Sequence, residues 1–370
     1  MRATKAVIHL DNFRGNIDAA RRKIGPYPKI CVAVKADAYG HGAIPLSYCA
    51  RDAGVEYLAV ATVPEGAELR AAGITAPILL LSQAIPEELS NIVTLGLCPL
   101  VSDLEFIEQL AAEAKVAGKK LSLHLKIDTG MGRAGCRPEE ACSLAAKITS
   151  HKELTLGGVA THLSVSDSLE TGDIAYTKKQ LSRFWESVES IKAAGIDPGI
   201  IHAANSGALA FHEDSYFDMV RPGIFVYGYS PAASIAGGLS SKPVMEFRSA
   251  VVLIKKILKG EAVSYGRTWV AKEDTFVGAV PAGYADGFPR LLSNKFSVWI
   301  RGKEYPLAGR ICMDQVMVNL GPETDVRRWD DVVIFGPGVT TAADIARQLK
   351  TIPYEITCNI NKRVPRVYES

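Results

Sequence analysis

The fold is indicated first by the stretch KICVAVKADAYGHG, residues 29–42, in which a short apolar run ends at Lys35 and passes into a glycine-containing loop. Similar apolar runs recur before Gly223, separated by segments with helical periodicity. The eight strands that these runs predict are residues 30–34, 57–61, 78–81, 98–101, 121–127, 156–162, 200–204 and 217–220. Eight alternations of strand and helix predict an α/β fold with an N-terminal (β/α)8 barrel of the TIM type.

The part of the chain after Gly228 has a different pattern. Segments 244–258, 276–281, 296–300 and 332–335 are β-rich and separated by Gly and Pro turns, with one short helix near residues 341–350. Ser, Pro, Ala and Gly dominate residues 230–241, which we interpret as a linker. We therefore predict a barrel domain at residues 1–230, whose first ten or so residues are able to pack with the C-terminal part, and a mostly β domain at residues 231–370.

One barrel helix can be predicted with its ends. Residues 102–115 have an amphipathic pattern that opens with a capping box of Ser102 and Glu105, and the helix is expected to end before Gly118.

Composition excludes several classes of function. Lys and Arg total 42 against 40 for Asp and Glu, and no basic cluster suggests a nucleic acid partner. No stretch reaches the roughly 18 apolar residues of a membrane helix, and the first residues lack a signal-peptide core, so we expect a soluble, cytoplasmic protein. The seven cysteines are scattered without a C-x-x-C pair, which argues against a metal or redox site and favours reduced thiols.

Catalytic groups of a TIM barrel gather at the C-terminal ends of its strands, and the first strand ends at Lys35. A lysine that is desolvated there has a lowered pKa and can form a Schiff base. The residues alone leave open an alternative, in which Lys35 simply snorkels or forms an ion pair at the barrel rim.

The fifth strand places His124, Lys126 and Asp128 on one face and leucine or isoleucine on the other. The side chains of this polar face must then point into the barrel or its mouth, where burying an isolated ammonium group costs free energy. Lys126 must therefore be paired, neutral or covalently altered. A glycine-containing loop follows and carries Arg133.

The last three strands also end in polar groups. The sixth ends at His162, the seventh leads into Asn205 and Ser206, and the eighth leads into Arg221 and the segment Gly223-Ile224. Barrels commonly bind phosphate with the loops after strands seven and eight, so Ser206, Gly223 and Ile224 are the expected phosphate cradle. For His162 taken alone, a hydrogen-bonded structural histidine is the alternative.

The segment AVKADAYGHG, residues 33–42, closely resembles the lysine motif of alanine racemases, which are fold type III enzymes that use pyridoxal 5'-phosphate (PLP). Further segments resemble the same family, and together they span nearly the whole chain: residues 126–135, 161–162, 202–207, 220–224, 263–269, 283–287, 309–315 and 353–356. The resemblance implies an enzyme that interconverts L- and D-alanine, supplies D-alanine for peptidoglycan synthesis and uses PLP as its cofactor.

The resemblance also implies roles for the barrel residues. Lys35 would hold PLP as a Schiff base and act as one base, and Tyr39 would contact the cofactor phosphate. Lys126 is often a carbamate in this family and would orient Arg133 toward the phenolic oxygen of PLP and toward the substrate, with a simple salt bridge as the alternative. Arg221 would face the pyridine nitrogen, where a group that always donates keeps that nitrogen unprotonated. The remaining cofactor-binding residues would be His162, Asn205, Ser206, Gly223, Ile224 and Tyr354.

Racemisation removes the α-proton on one face and returns a proton on the other, so a second base is expected. The resemblance assigns this role to Tyr265, as the base for L-alanine, with a relay through His162 to Arg221. In the family, the backbone amide of Met313 binds the substrate carboxylate, and the supporting residues Tyr284 and Asp314 reach the partner subunit's pocket together with Tyr265. The implied assembly is a head-to-tail homodimer with shared active sites, whose entrance is narrowed by Tyr265 and Tyr354.

Three alternatives remain. A racemase of serine or lysine would share the fold and differ in pocket volume. A decarboxylase of basic amino acids has a cysteine near an aspartate, as in Cys312 and Asp314, but the segments around Tyr265 and Arg221 argue against it. A non-catalytic protein that manages free PLP would resemble the barrel alone, so the second domain argues against that class.

Overall fold

The computed structural model describes residues 2–230 and 239–370. The chain divides into two compact units. We call them the barrel unit (residues 14–38, 43–230 and 239–241) and the β unit (residues 2–13, 39–42 and 242–370). This division differs from the predicted ranges because residues 39–42 group with the β unit. Most of the predicted linker, residues 231–238, lies outside the described residues.

Within the described residues the strands are β1 (Lys5–His9), β2 (Lys29–Ala33), β3 (Tyr57–Val60), β4 (Ile78–Leu80), β5 (Cys98–Val101), β6 (Leu121–Lys126), β7 (Leu154–Ala160), β8 (Ile200–His202), β9 (Met219–Val220), β10 (Met245–Ala250), β11 (Leu253–Ile257), β12 (Ala262–Val263), β13 (Trp269–Val270), β14 (Thr275–Val280), β15 (Ser297–Ile300), β16 (Lys303–Pro306), β17 (Val316–Gly321), β18 (Asp331–Phe335) and β19 (Arg366–Glu369). The helices are α1 (Leu10–Ile24), α2 (Ala43–Asp52), α3 (Val63–Ala71), α4 (Leu89–Leu95), α5 (Leu104–Ala117), α6 (Ala141–Ser150), α7 (Thr171–Ala193), α8 (Ser206–Phe211), α9 (Ala342–Leu349) and α10 (Pro353–Cys358). A separate helical turn at Lys35–Gly40 is left-handed and is described with the site.

The barrel unit contains one eight-stranded sheet in the order β8-β7-β6-β5-β4-β3-β2-β9, in which neighbouring strands are parallel. Between β8 and β9, two backbone hydrogen bonds bring the sheet edges together: Asp218 N–H donates to Ile201 O (3.0 Å) and Arg221 N–H donates to Ala204 O (2.8 Å). The predicted (β/α)8 barrel is confirmed. Its strands are buried almost throughout, because helices cover the outside and side chains fill the inside.

The start of α5 corrects the predicted capping box. The N-cap is Asp103, whose carboxylate accepts the N–H of Phe106 at 2.8 Å, and the predicted pair of Ser102 and Glu105 is wrong. Serine and aspartate both cap helices well, so two adjacent candidates leave the start uncertain by one residue. The predicted stop is confirmed, because Gly118 ends the helix in the left-handed conformation with φ of 62°.

The β unit contains three sheets. A six-stranded sheet has the order β16-β15-β18-β10-β1-β19, a second sheet has the order β11-β14-β17, and β12 pairs with β13. Strand β1 lies between two C-terminal strands, antiparallel to β10 and parallel to β19. The mostly β character of this part is as expected from the sequence, with α9 as the predicted helix and α10 as one that was not predicted. No helix within residues 2–230 or 239–370 is long and apolar enough to cross a membrane.

Candidate active site

Lys35 begins a left-handed helical turn directly after β2. Four successive non-glycine residues, Ala36 to Tyr39, have φ between 51° and 55°. For L-residues this conformation costs roughly 1–2 kcal/mol each, because Cβ approaches the following carbonyl oxygen. Single residues in this region are common, but a run of four is not, so the surrounding structure must hold it.

Two side chains in the barrel unit hold this turn. Glu65 caps α3 by accepting the N–H groups of Ala61 (2.7 Å) and Thr62 (3.1 Å) with Oε2, while its Oε1 accepts the N–H of Ala36 at 2.7 Å. Asp37 accepts the N–H of Ala43 at 2.7 Å. Sequence reasoning missed Glu65 as a site residue, although the T-x-x-E pattern at residues 62–65 is a visible capping signal.

Lys126 lies inside the barrel at the end of β6, and its side chain is buried. Burial lowers the pKa of Lys126 well below its usual value, and the nearby cations Arg221 and Arg133 lower it further. Burial and these two cations therefore favour the neutral amine of Lys126, which is the form that reacts with carbon dioxide, over the ammonium. Carbamylation of Lys126 stays a prediction. Asp128 accepts the N–H groups of Gly130, Met131 and Gly132 with one oxygen and so shapes the loop before the exposed Arg133.

Arg221 follows β9 and is buried among neutral acceptors. Its NH1 donates to His202 Nδ1 (2.8 Å), and its NH2 donates to Thr161 O (2.7 Å) and Ala203 O (3.0 Å), with His162 Nδ1 more distant at 3.4 Å. Burial lowers the pKa of Arg221 to about 10, so it stays a cation at neutral pH. Among the described residues, no carboxylate forms an ion pair with it.

His162 is a partly buried histidine whose pKa is influenced by basic side chains at this end of the barrel. Burial lowers its pKa well below the usual value, and Arg221, Lys126, Arg133 and Lys35 lower it further, in that order. His162 is therefore neutral at neutral pH. Four basic residues of the barrel unit therefore lie close enough to the neutral imidazole of His162 to influence its pKa.

The predicted phosphate cradle is built around Ser206. Its Oγ accepts the N–H of Gly223 (2.9 Å) and the N–H of Phe225 (3.3 Å), so both acceptor positions of the hydroxyl are used and its proton remains to donate. Asn205 positions this segment, since its side chain caps α8 through Ala208 N–H (3.0 Å) and also bonds Ser166 and Leu163. Ile224 lies between the two bonded amides and is fully buried.

In the β unit, Tyr265, Met313 and Asp314 line one cavity of about 620 Å³, together with Ser264, Cys312 and Gln315. Tyr265 is 70% exposed and Met313 is 52% exposed, which is unusual for large apolar side chains. Ser264, with φ of 67°, turns the chain before Tyr265, and its hydroxyl donates to Arg310 O at 2.6 Å. Tyr39 and Tyr354 form a separate pair with ring centroids 5.6 Å apart, and burial raises the pKa of Tyr39, which stays a neutral phenol.

The turn that carries Tyr284 is held by the buried carboxylate of Asp286 and is hydrogen-bonded to the loop that carries Met313. Asp286 is fully buried and accepts from Arg2 (2.5 Å), from Arg363 (2.7 Å) and from the N–H of Gly283 (2.9 Å). The same short turn bonds the neighbouring loop, because Tyr284 N–H donates to Cys312 O and Ala285 N–H donates to Met313 O, both at 3.0 Å. Arg363 also pairs with Asp314 at 2.8 Å. Asp286 therefore helps to fix the backbone segments that carry the side chains of Tyr284, Met313 and Asp314.

Replacing Asp286 with Asn is expected to lower the free energy of unfolding of the β unit by about 1–3 kcal/mol at neutral pH, because two arginines lose their shared charge partner. Burial alone would raise the pKa of Asp286, but the hydrogen bonds from Arg2 and Arg363 outweigh it and hold the pKa below the usual value. The stabilisation by the Asp286 charge is therefore fully present above the pKa that Asp286 has in the unfolded chain. It is lost as the pH falls through the lower pKa that Asp286 has in the folded protein.

Urea unfolding followed by tryptophan fluorescence measures this effect, since Trp269, Trp299 and Trp329 lie in the β unit and only Trp185 lies in the barrel unit. Asp325→Asn is the matched control, because Asp325 is half exposed and its carboxylate forms only loose surface pairs, with Lys303 at 3.6 Å and with Arg301 at 3.9 Å. Its effect should stay within about 0.5 kcal/mol. A difference between the variant and the unmodified protein that stays unchanged however far the pH falls below the usual pKa of an aspartate would contradict the assignment to the Asp286 charge.

The fold and the site together define a class of protein: a parallel (β/α)8 barrel with a mostly β unit, carrying a lysine and a hydroxyl-lined cationic site at its strand ends. The family model described as the N-terminal domain of alanine racemase matches residues 8–231, and the model of the C-terminal domain matches residues 244–368. The chain belongs to the alanine racemase family, and it is therefore an enzyme of the racemase class.

Individual relatives agree over their full lengths. The alanine racemase of Treponema denticola is 52% identical over 100% of this chain and 98% of that protein. The alanine racemase of Treponema pallidum is 44% identical over 100% of both chains. Among solved structures, alanine racemase from Clostridium difficile superposes with a TM-score of 0.95 at 36% identity, covering 100% of this chain and 96% of that one. The family resemblance predicted from the motifs is confirmed.

Proposed function

We propose that this enzyme interconverts L- and D-alanine with PLP as its cofactor and supplies D-alanine for peptidoglycan synthesis. The observation that carries the proposal is the cationic neighbourhood of Lys35, Lys126, Arg133 and Arg221 around His162. Among these basic groups Arg221 is buried and cationic, and such a group of basic side chains is suited to an anionic ligand. The full-length relatives named alanine racemase support alanine as the substrate.

The residues at the barrel end fit PLP in two respects. Ser206 keeps a hydroxyl proton to donate beside the Gly223-Ile224 segment, and this hydroxyl suits a phosphate group. Arg221 uses NH1 and NH2 in its protein contacts, and no described residue accepts from its Nε, which leaves a donor for an unprotonated ring nitrogen. Lys35 would attach the cofactor through Nζ, with Tyr39 near its phosphate and Tyr354 beside Tyr39.

PLP, when bound, spreads the charge that develops as the α-proton of an amino acid leaves. Proton transfer and the positioning of the substrate are carried out by side chains of the protein. Lys35 Nζ takes and returns a proton on one face, and the Tyr265 hydroxyl does so on the other. Arg221 remains a donor throughout, so the ring nitrogen stays an acceptor and the chemistry is biased toward simple proton return over side reactions. His162, neutral in its cationic surroundings, can pass a proton.

The second base would come from the partner subunit in a head-to-tail homodimer. Tyr265, Met313 and Tyr284 are 70%, 52% and 42% exposed in the chain alone, and such a group of large apolar side chains is typical of an interaction surface. Met313 would offer its backbone amide to the substrate carboxylate. Tyr265 and Tyr354 would limit the entrance so that little more than a methyl side chain fits.

The experiment that tests the proposal is a chiral assay of the purified enzyme, supplied with PLP and incubated separately with L-alanine, L-serine and L-lysine. D-alanine should form fastest and approach an equal mixture with L-alanine, since the two enantiomers have the same free energy. Faster formation of D-serine or D-lysine would reassign the substrate. Release of carbon dioxide without any D-amino acid would instead indicate a decarboxylase.

A further inference from the structure

Two buried histidines inside the barrel, His124 and His202, lie beyond the residues already assigned to the reaction. His124 Nδ1 and His202 Nε2 are 2.8 Å apart, and His202 Nδ1 is 2.8 Å from Arg221 NH1. Both side chains are essentially inaccessible, at 1% and 0% exposure. The three groups form a row that leads from the barrel interior to the guanidinium.

The protons in this row have only one consistent arrangement. Arginine can only donate, so His202 Nδ1 must accept and the proton of that imidazole must be on Nε2. His202 Nε2 then donates to His124 Nδ1, which must also accept, so the proton of His124 is on Nε2 as well. Protonating either ring would set two N–H groups against each other. The always-charged Arg221 thus fixes the tautomer of both histidines.

The register of strands β6, β7 and β8 allows the two imidazoles to come into contact. His124 on β6 pairs in register with Gly158 on β7, and Gly158 pairs with Ile200 on β8, two residues before His202. The two imidazoles therefore meet across an intervening strand. A Cβ at Gly158 would come within 2.4 Å of His124 Nδ1, so only glycine leaves the contact open. The register shift at Leu123/His124 makes Gly157 an extra residue, whose Cβ would lie 2.0 Å from Ser122 Oγ.

We propose that His124 and His202 form a one-directional hydrogen-bond chain that holds the Arg221 guanidinium, and that His124 is a positioning residue that acts on the ring-nitrogen site through His202. Burial lowers the pKa of both histidines, and Arg221 lowers it further, to about 4 for His124. The edge of Tyr57 closes the other side of His124, with ring centroids 6.3 Å apart. The functional half of this inference rests on the proposed PLP chemistry, whereas the proton arrangement does not.

The proton arrangement is tested by long-range ¹H–¹⁵N correlation spectra of the full-length enzyme with ¹⁵N-labelled histidine, assigned with His124→Asn and His202→Asn. The chain has seven histidines, so the spectra are simple. Both His124 and His202 should be neutral with the proton on Nε2 throughout the neutral range of pH. A proton on Nδ1 of either ring, or a charged ring, would overturn the proposal even if the enzyme racemises alanine normally.

The positioning role is tested by comparing His124→Leu with His124→Asn. Leucine leaves His202 Nε2–H without an acceptor, so the His202 signals should change and kcat for alanine should fall about 10-fold to 100-fold, with little change in KM. The asparagine Oδ1 can accept the same proton, so this variant should recover most of kcat and keep the His202 tautomer. A purely structural role would lower thermal stability without this difference in tautomer and kcat.

Gly158→Ala provides a second variant that replaces no histidine but displaces the His124 ring, and it should reproduce the fall in kcat. His151→Asn, at the start of a loop outside the barrel interior, is the control for histidine loss. Wild-type kcat in His124→Leu, or equal impairment in His124→Asn and His124→Leu, would refute the positioning role. An unmodified enzyme with the expected tautomers but no racemisation would refute the proposed function and leave the hydrogen-bond chain standing.

Discussion

A Tyr265→Phe variant is expected to slow conversion of L-alanine to D-alanine by roughly 10²–10⁴-fold, the usual effect of removing one general base. Phenylalanine keeps the ring that lines the cavity beside Met313 but lacks the hydroxyl to which we assign the proton transfer. The absorbance of the bound cofactor should be unchanged, because Lys35 is untouched.

The sharper readout is isotope exchange in deuterium oxide, followed by ¹H NMR of each enantiomer separately. With Tyr265 as the base for L-alanine, the variant should stop exchanging the α-hydrogen of L-alanine, while Lys35 continues to exchange that of D-alanine. Tyr305→Phe, in strand β16 of the same unit, is the control and should exchange both enantiomers. Equal exchange of the two enantiomers by Tyr265→Phe would remove Tyr265 from the mechanism.

Replacing Lys35 with Ala is expected to abolish covalent attachment of PLP and to lower racemisation by at least the roughly 10²–10⁴-fold that loss of a base produces. Mass spectrometry after borohydride reduction should find PLP on Lys35 in the unmodified enzyme and on no lysine in the variant. Added methylamine should restore part of the activity, since it supplies the missing amine.

The matched control is Lys29→Ala, because Lys29 begins the same strand at the opposite end and is exposed. It should retain both the covalent cofactor and full activity. PLP that remains attached through another lysine in Lys35→Ala, with racemisation intact, would move the assignment to that lysine.

The barrel could be predicted from the sequence because its strands are buried on both faces and appear as short continuous apolar runs. All eight predicted runs correspond to strands β2 to β9. The β unit was predictable only in outline, because pairing between distant segments leaves no local signal. Strand β1 lies beside β10 and β19, more than 230 residues away along the chain.

The burial of a charged site candidate could be predicted from the sequence, but the contacts between the candidates could not. Lys126 illustrates the part that succeeded, since a lysine in an alternating buried strand must lose its charge or find a partner. The row from His124 to Arg221 could not be predicted, because it depends on glycine at one register position of the strand between them. The partners of Asp286 are likewise 284 and 77 residues away in sequence.

The left-handed turn after Lys35 has the opposite helical sense from the one that its residues prefer. Sequence reasoning treated residues 36–39 as a loop, and nothing in an alanine or aspartate favours positive φ over several successive positions. For a residue of mirror-image configuration the steric preference reverses, so this is the helix that it adopts most readily. A chain assembled by chemical ligation with D-residues at positions 36 and 38 would therefore relieve backbone strain there, whereas D-residues in any of the barrel's right-handed helices would create it.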